Sequence, residues 1–220
     1  MTASSAFFDA IKAGDLAHVK SVISETPEFV NLRNDEGQSA VLAAVYHHRK
    51  DIADLLVSRG AELSIFEACA AGEEERVERF LGDPAVNVNA VSDDGWTALH
   101  LASFFGHAKI VEMLIAHGAD ATALSRNETR NTSLHAALAA NRKIVAGLLI
   151  GAGADVNAAD RGGWRPLHLA SANNNLDLVK ALIAQGADVH LANNDGATPL
   201  SLALDKGHRE VEAFLRRQGA

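Results

Sequence analysis

The chain repeats itself. The line Gly95, Trp96, Thr97, Ala98, Leu99, His100, Leu101, Ala102 returns as Gly163, Trp164, Arg165, Pro166, Leu167, His168, Leu169, Ala170. It returns again as Gly196, Ala197, Thr198, Pro199, Leu200, Ser201, Leu202, Ala203. Degenerate copies run through Thr132, Ser133, Leu134, His135, Ala136, Ala137 and through Gly37, Gln38, Ser39, Ala40, Val41, Leu42, Ala43, Ala44. The step from His135 to His168 equals the step from His168 to Ser201 (168 − 135 = 201 − 168 = 33). A fixed period of this size means stacked supersecondary units, each too small to bury its apolar face alone.

A second marker keeps the same beat. Gly118-Ala119-Asp120, Gly153-Ala154-Asp155, Gly186-Ala187-Asp188 and Gly219-Ala220 follow one another at steps of 35, 33 and 33. Each comes after an apolar helical run such as Ile110, Val111, Met113, Leu114, Ile115. Glycine just beyond such a run takes the left-handed conformation that closes a helix. At the other end of the unit, Thr198 before Pro199 reads as an N-cap hydroxyl with proline at the first helical position. Each unit is therefore a turn, a short helix, a second helix and a glycine stop.

The Thr-Pro-Leu-His-x-Ala core, returning at this period, resembles the ankyrin repeat. The Trp and Leu-Gly spacing of a tetratricopeptide array is absent. The resemblance covers essentially the whole chain and implies an all-α solenoid of stacked helix-turn-helix units joined by short hairpin-like loops. The expected division of this single array is 4–33, 34–64, 65–91, 92–124, 125–158, 159–192 and 193–220.

Two units depart from the period. The step from Gly60 to Gly118 (118 − 60 = 58) falls eight short of two full repeats. The chain runs from Gly60, Ala61, Glu62, Leu63, Ser64 straight into Ile65, Phe66, Glu67, Ala68 with no Asp-x-x-Gly loop. At this same offset the N-terminal stretch is copied: Phe8 matches Phe66, Gly14 matches Gly72, Val19 matches Val77 and Asn31 matches Asn89. Residues 1–63 and 64–121 thus read as two copies of a repeat pair, each opening with a loop-less unit. The shortening is either a tolerated deletion or a bend or groove near residues 60–67. In the fifth unit the step from His100 to His135 is longer by two, so the loop Ser125, Arg126, Asn127, Glu128, Thr129, Arg130, Asn131 carries extra polar length and no glycine. Insertions of this kind map to loops on one face, either a binding face or neutral surface.

Composition narrows the function. The single cysteine, Cys69, excludes an internal disulfide and a Cys-rich zinc site. The N-terminus lacks the pattern of a secretory leader, and no apolar run is long enough to cross a bilayer, so a soluble cytoplasmic protein is expected, with the compactness of a bacterial array. The net charge of −8 is uneven: residues 1–124 hold 19 acidic and 9 basic side chains, residues 125–220 hold 9 and 11. An acidic front half argues against a nucleic-acid footprint, which needs clustered Lys and Arg.

Ten histidines invite a metal or catalytic reading. His100, His135 and His168 share one slot in successive units, and a catalytic residue need appear only once. The resemblance gives that slot a structural task, hydrogen bonding between adjacent loops. Adjacent His47 and His48 point different ways on a helix and cannot easily share an ion. No nucleophile elbow, phosphate loop or H-E-x-x-H helix appears. Neither catalytic residues, metal nor cofactor is expected.

What the resemblance implies about function is a protein partner, met by a monomer on the concave side formed by loop tips and first helices. By position, that side takes in Tyr46, His47, Trp96, Phe104, Phe105, Arg126, Arg161, Trp164, Asn173 and Lys206. Large aromatics at surface positions are the residues that anchor binding hot spots. A rival reading is a ligand-sensing or enzyme-associated module with an apolar pocket near the short third unit, lined by Phe66, Cys69 and Phe104 or Phe105. A second is a plain spacer, which would carry a polar, featureless face.

Overall fold

The structure, a computed structural model, describes residues 2–220. The described residues form fourteen α-helices and one 3-10 turn, with only isolated β-bridges at the loops. The chain divides into two compact units, residues 1–73 and 74–220, so the division falls inside the third repeat.

The first unit holds α1 (Ala3–Ala13), α2 (Leu16–Glu25), a 3-10 turn (Pro27–Asn31), α3 (Ala40–Tyr46), α4 (Lys50–Ser58) and α5 (Ile65–Ala71). The first helices pack in series, α1 on α3 and α3 on α5, while α2 packs on α4. Ile52 and Leu56, like Val19 and Ile23, lie one helical turn apart and are buried, which turns one stripe of each second helix inward. The chain passes from α4 to α5 through residues 59–64 alone. There the Glu62 N–H donates to Asn31 Oδ1 at 2.8 Å, and Ser64 opens α5 with a capping box closed by Glu67.

The second unit begins with α6 (Glu74–Leu81) and continues through α7 (Ala98–Phe105), α8 (Ala108–Ala116), α9 (Ser133–Ala139), α10 (Lys143–Gly151), α11 (Pro166–Ala172), α12 (Leu176–Ala184), α13 (Pro199–Asp205) and α14 (Arg209–Arg217). First helices form one row, α7, α9, α11 and α13; second helices form another, α6, α8, α10, α12 and α14. Leu99, Leu134 and Leu167, the leucines of the repeated line, are buried in the first row. The second row buries Ile110 and Leu114, Val145 and Leu149, Leu178 and Leu182, Val211 and Leu215, again one turn apart. These stripes bury only when a neighbouring repeat covers them, which is why the fold grows along one direction.

The ends of the helices follow from the chain's own chemistry. Thr97, Thr132 and Thr198 hydroxyls accept the N–H of His100, His135 and Ser201, satisfying a donor the helix leaves over. Each first helix then stops at a residue with positive φ. That residue is Gly14, Gly72, Gly106 or Gly207 in four repeats, Asn141 or Asn174 in two, and His48 in one. Asparagine and histidine are among the non-glycine residues that adopt this region most often.

Candidate protein-binding face

The repeated histidines knit loops together. In the fourth repeat Thr97 Oγ1 lies 2.7 Å from His100 Nδ1, and His100 Nε2 lies 3.0 Å from the Asn131 carbonyl of the following loop. His135 repeats this with Thr132 (2.8 Å) and the Trp164 carbonyl (3.0 Å). His168 Nδ1 accepts the Arg165 N–H at 3.1 Å, and its Nε2 lies 3.1 Å from the Ala197 carbonyl. A carbonyl only accepts, so Nε2 carries the proton in each ring; in His135 and His168 Nδ1 also accepts a backbone N–H, which makes those two rings neutral. Burial pushes all three imidazoles below their ordinary pKa, with the carbonyl contacts acting in the opposite sense. Ser201, in the same slot of the last repeat, folds its hydroxyl back onto the Thr198 carbonyl at 3.0 Å. In the third repeat the slot belongs to Glu67, which is 3% exposed. It takes the Ser64 N–H and hydroxyl at 2.8 Å each and reaches the Arg33 guanidinium at 3.3 Å.

Backbone contacts hold neighbouring loop tips together in the second unit. The Arg126 N–H donates to the Gly95 carbonyl (2.8 Å), Arg161 to Thr129 (2.9 Å) and Asn194 to Gly162 (2.9 Å). A methyl on Gly95 would stand 2.6 Å from the Asn127 nitrogen, so glycine there is required by the close approach as well as by its φ of 84°.

Two further sets of cross-repeat bonds have no clear signature in the sequence. In the first, a side chain just past one first helix caps the preceding one. Arg49 donates to the Lys12 carbonyl, Arg142 to Phe104, Asn173 to Leu138, and Lys206 and His208 both to Ala172. Their types differ, so only position unites them, and position shows only in three dimensions. In the second, Asn31, Asn89 and Asn157 each accept the N–H of the acidic residue in the next Gly-Ala-acid turn: Glu62, Asp120 and Asp188, at 2.8, 2.8 and 2.9 Å. The match of Asn31 with Asn89 is the one visible trace of this clamp.

The expected partner-facing residues fall as follows. In the first unit Tyr46 is half-buried and His47 exposed. In the second unit Trp96 and Phe104 meet edge to face with ring centroids 5.5 Å apart, Phe104 and Phe105 likewise at 5.1 Å, and Trp96 stands 5.9 Å from the His100 ring. All three aromatics remain half-buried rather than enclosed. Trp164 is half-buried too and lies 6.0 Å from the His168 ring. Arg126 and Arg161 project from the loop tips as exposed side chains, and Asn173 and Lys206 are exposed while serving as the caps described above. Eight of the ten thus belong to loops or first-helix ends of the second unit, and of these Trp96, Phe104 and Phe105 touch one another. Tyr46 and His47 belong to the first unit.

Of the residues in the pocket reading, Cys69 is buried and Phe66 half-buried in the first unit, whereas Phe104 and Phe105 belong to the second. Burial pushes the Cys69 thiol up to about 12, so it stays protonated and unreactive at neutral pH. An open hollow lies instead at the loop tips, between Val91–Gly95 and Arg126–Glu128. Among the described residues, no group of three or more His, Cys, Asp or Glu side chains is placed to hold a metal ion, and no helix is long and apolar enough to cross a membrane.

Known proteins share this pattern. The family described as Ankyrin repeats (3 copies) matches residues 65–160 and 138–220. A mouse protein, protein phosphatase 1 regulatory subunit 27, is 32% identical over 118 residues, which is 54% of this chain and 75% of that protein. The target of rapamycin complex 2 subunit AVO2 of Saccharomyces cerevisiae is 31% identical over 174 residues, 72% of this chain and 40% of that protein. A rat protein, ankyrin repeat and SAM domain-containing protein 6, is 29% identical over 120 residues, 54% of this chain and only 11% of its own length. The chain therefore spans a small part of the rat protein and less than half of the yeast one. These relatives are eukaryotic and lend nothing to a bacterial type. With two helices per period, a left-handed stop after each first helix and a family match over most of its length, the chain belongs to the ankyrin repeat family.

Proposed function

We propose that this chain is a non-catalytic binding module that holds another protein on the loop-tip and first-helix side of its second unit, working as a cytoplasmic monomer without cofactor, metal or nucleic acid. The observation that carries this reading is the set of partly exposed aromatics. Trp96, Phe104 and Phe105 form one edge-to-face cluster, and Trp164 stands at the equivalent loop position two repeats on. A polar, featureless spacer would not leave indole rings partly out of the core. Partly exposed Trp supplies large apolar area at low entropic cost, the property of hot-spot anchors.

The polar groups that could suggest chemistry are occupied by the fold. The three histidines bond loops, Ser201 bonds its own cap and Cys69 is held protonated. Two relatives are named as subunits, one regulatory to protein phosphatase 1 and one of target of rapamycin complex 2, which supports a role in association.

The test is capture of partners by the intact chain, identified by mass spectrometry, then repeated with Trp164→Ala and Trp96→Ala. Loss of an anchor typically costs on the order of 2 kcal/mol of binding. Trp164→Ala should weaken capture with little change in thermal unfolding. Trp96→Ala should weaken capture and also lower the unfolding midpoint, because Trp96 also packs on Phe104. Lys109→Glu, on the exposed side of α8, should do neither. Unaltered capture in both tryptophan variants would remove the face from consideration.

A further inference from the structure

One position of the repeat, the residue just before the cap of each first helix, forms a file along the second unit. Trp96, Asn131, Trp164 and Ala197 hold it in successive repeats. Histidines tie each member to the next. The His100 ring stands 5.9 Å from Trp96, and its Nε2 reaches the Asn131 carbonyl. His135, held at Thr132 beside Asn131, reaches the Trp164 carbonyl. His168 stands 6.0 Å from the Trp164 ring and reaches the Ala197 carbonyl. Two broad rings are thus fixed two repeats apart with an amide between them. Both rings are seated in advance: Trp96 packs on Phe104, and Trp164 lies against Gly162, where a methyl would stand 3.1 Å from its Cδ1.

Each of the first three carries an N–H that the fold leaves unused. Among the described residues, neither indole N–H donates to an acceptor, nor does Asn131 Nδ2, and none of the three is sealed in the core. The other amide atom of Asn131, Oδ1, is buried without a partner. Such an atom costs the fold stability that alanine would restore, so the side chain stays for a reason outside the fold.

Charge does not select what covers this file. Residues 91–96, 126–130 and 160–164 together hold four carboxylates and three guanidinium groups, which nearly cancel. What is left is apolar ring faces alternating with hydrogen-bond donors, and these suit a neutral chain whose carbonyls are free. A helix has spent its carbonyls on its own bonds. A strand keeps them but turns residue i+3 to the face opposite residue i. A polyproline II segment bonds none of them and returns to the same face every third residue, after about 9 Å. Packed helices lie about 8–10 Å apart, so one turn of such a segment spans one repeat.

We propose that Trp96, Asn131 and Trp164 seat a neutral, proline-rich segment of the protein partner in the polyproline II conformation. Prolines two turns apart lie on the two indoles, and carbonyls one turn apart accept the Trp96, Asn131 and Trp164 N–H groups. The seat ends at Ala197, which offers neither ring nor donor. The proposal rests on this face being the protein-binding one and adds the conformation and chemistry of what it takes.

The experiment uses the full chain and a fluorescein-labelled oligoproline of about ten residues, long enough to cross two repeats, followed by fluorescence anisotropy. The controls are a labelled Gly-Ser peptide of equal length and a labelled amphipathic helical peptide of about twenty residues. The oligoproline should bind saturably and the Gly-Ser peptide at least about tenfold more weakly, with the difference kept in added salt. Trp164→Ala should lose at least about tenfold in affinity. Trp164→Phe, which keeps a ring and deletes the N–H, and Asn131→Ala should each lose about twofold to tenfold. Asn131→Ala should do so without lowering the thermal unfolding midpoint, which separates its effect from misfolding. Equal binding of the oligoproline and Gly-Ser peptides, tighter binding of the helical peptide, or unaltered affinity in both Trp164→Phe and Asn131→Ala would overturn the proposal. If Trp164→Ala weakens partner capture while the oligoproline does not bind, the binding face stands and its preference for polyproline II falls.

Discussion

His100, His135 and His168 each use both ring nitrogens, one inside their own cap and one across to the next loop. A second proton would turn the accepting Nδ1 into a donor facing the N–H or hydroxyl of the cap. Burial already holds all three pKa values below the ordinary histidine value. The sign of the pH dependence follows. In the unfolded chain these histidines titrate near about 6.5. Between that value and the lower folded one, the unfolded chain binds more protons, so stability rises with pH in that window. It is fully present above about pH 6.5 and declines as pH falls below it. Denaturant midpoints measured from about pH 7 to about pH 5 should fall, and His135→Gln should fall less steeply than the wild-type chain. A midpoint that is flat over this range would mean that the rings are not buried neutral. The slot itself was legible because the same letter recurred. Its third-repeat occupant, Glu67, was not, because a carboxylate does the capping by accepting from Ser64 and turns toward Arg33.

At the scale of the helices, the period announced stacked helix pairs, and threonine caps with glycine stops marked most of the ends. It missed stops where Asn141, Asn174 and His48 adopt the glycine conformation, since composition alone does not reveal φ. It also missed the cross-repeat caps, whose donors are arginine, asparagine, lysine or histidine by turns. The leucine of the repeated line was the more dependable signal, because close packing accepts few substitutes. Leu167 is 2% exposed on α11, which packs between α9 and α13. Leu167→Ala should cost about 2–5 kcal/mol through the cavity it leaves. Its effect should extend to α9 and α13, read as faster hydrogen exchange in both neighbours as well as in α11. Exchange that quickens in α11 alone would show that repeats are not coupled through this leucine.

Over the whole molecule, stability in a repeat protein is close to a sum of terms within repeats and terms between neighbours. The two compact units differ in how many such terms they hold. Residues 74–220 contain four complete helix pairs, three histidine-to-loop bonds and three backbone bonds between loop tips. Residues 1–73 contain two complete pairs and α5, with Arg33–Glu67 as a loop-to-helix contact. The second unit should therefore outlast the first in denaturant. The matching segments, Phe8 with Phe66 through Asn31 with Asn89, read as two copies of a repeat pair meeting at 63/64, whereas the compact units meet at 73/74, because α5 packs on α3. A direct test comes from the two tryptophans of the chain, Trp96 and Trp164, both in the second unit. Their fluorescence reports that unit alone, whereas far-ultraviolet circular dichroism sums the helices of both. Titration with urea should give one fluorescence transition and a circular-dichroism transition that starts at lower urea and is broader. Two curves that coincide are the mark of all-or-none unfolding. That result would mean that the units melt together and that the count of interactions within each does not set the order in which they are lost.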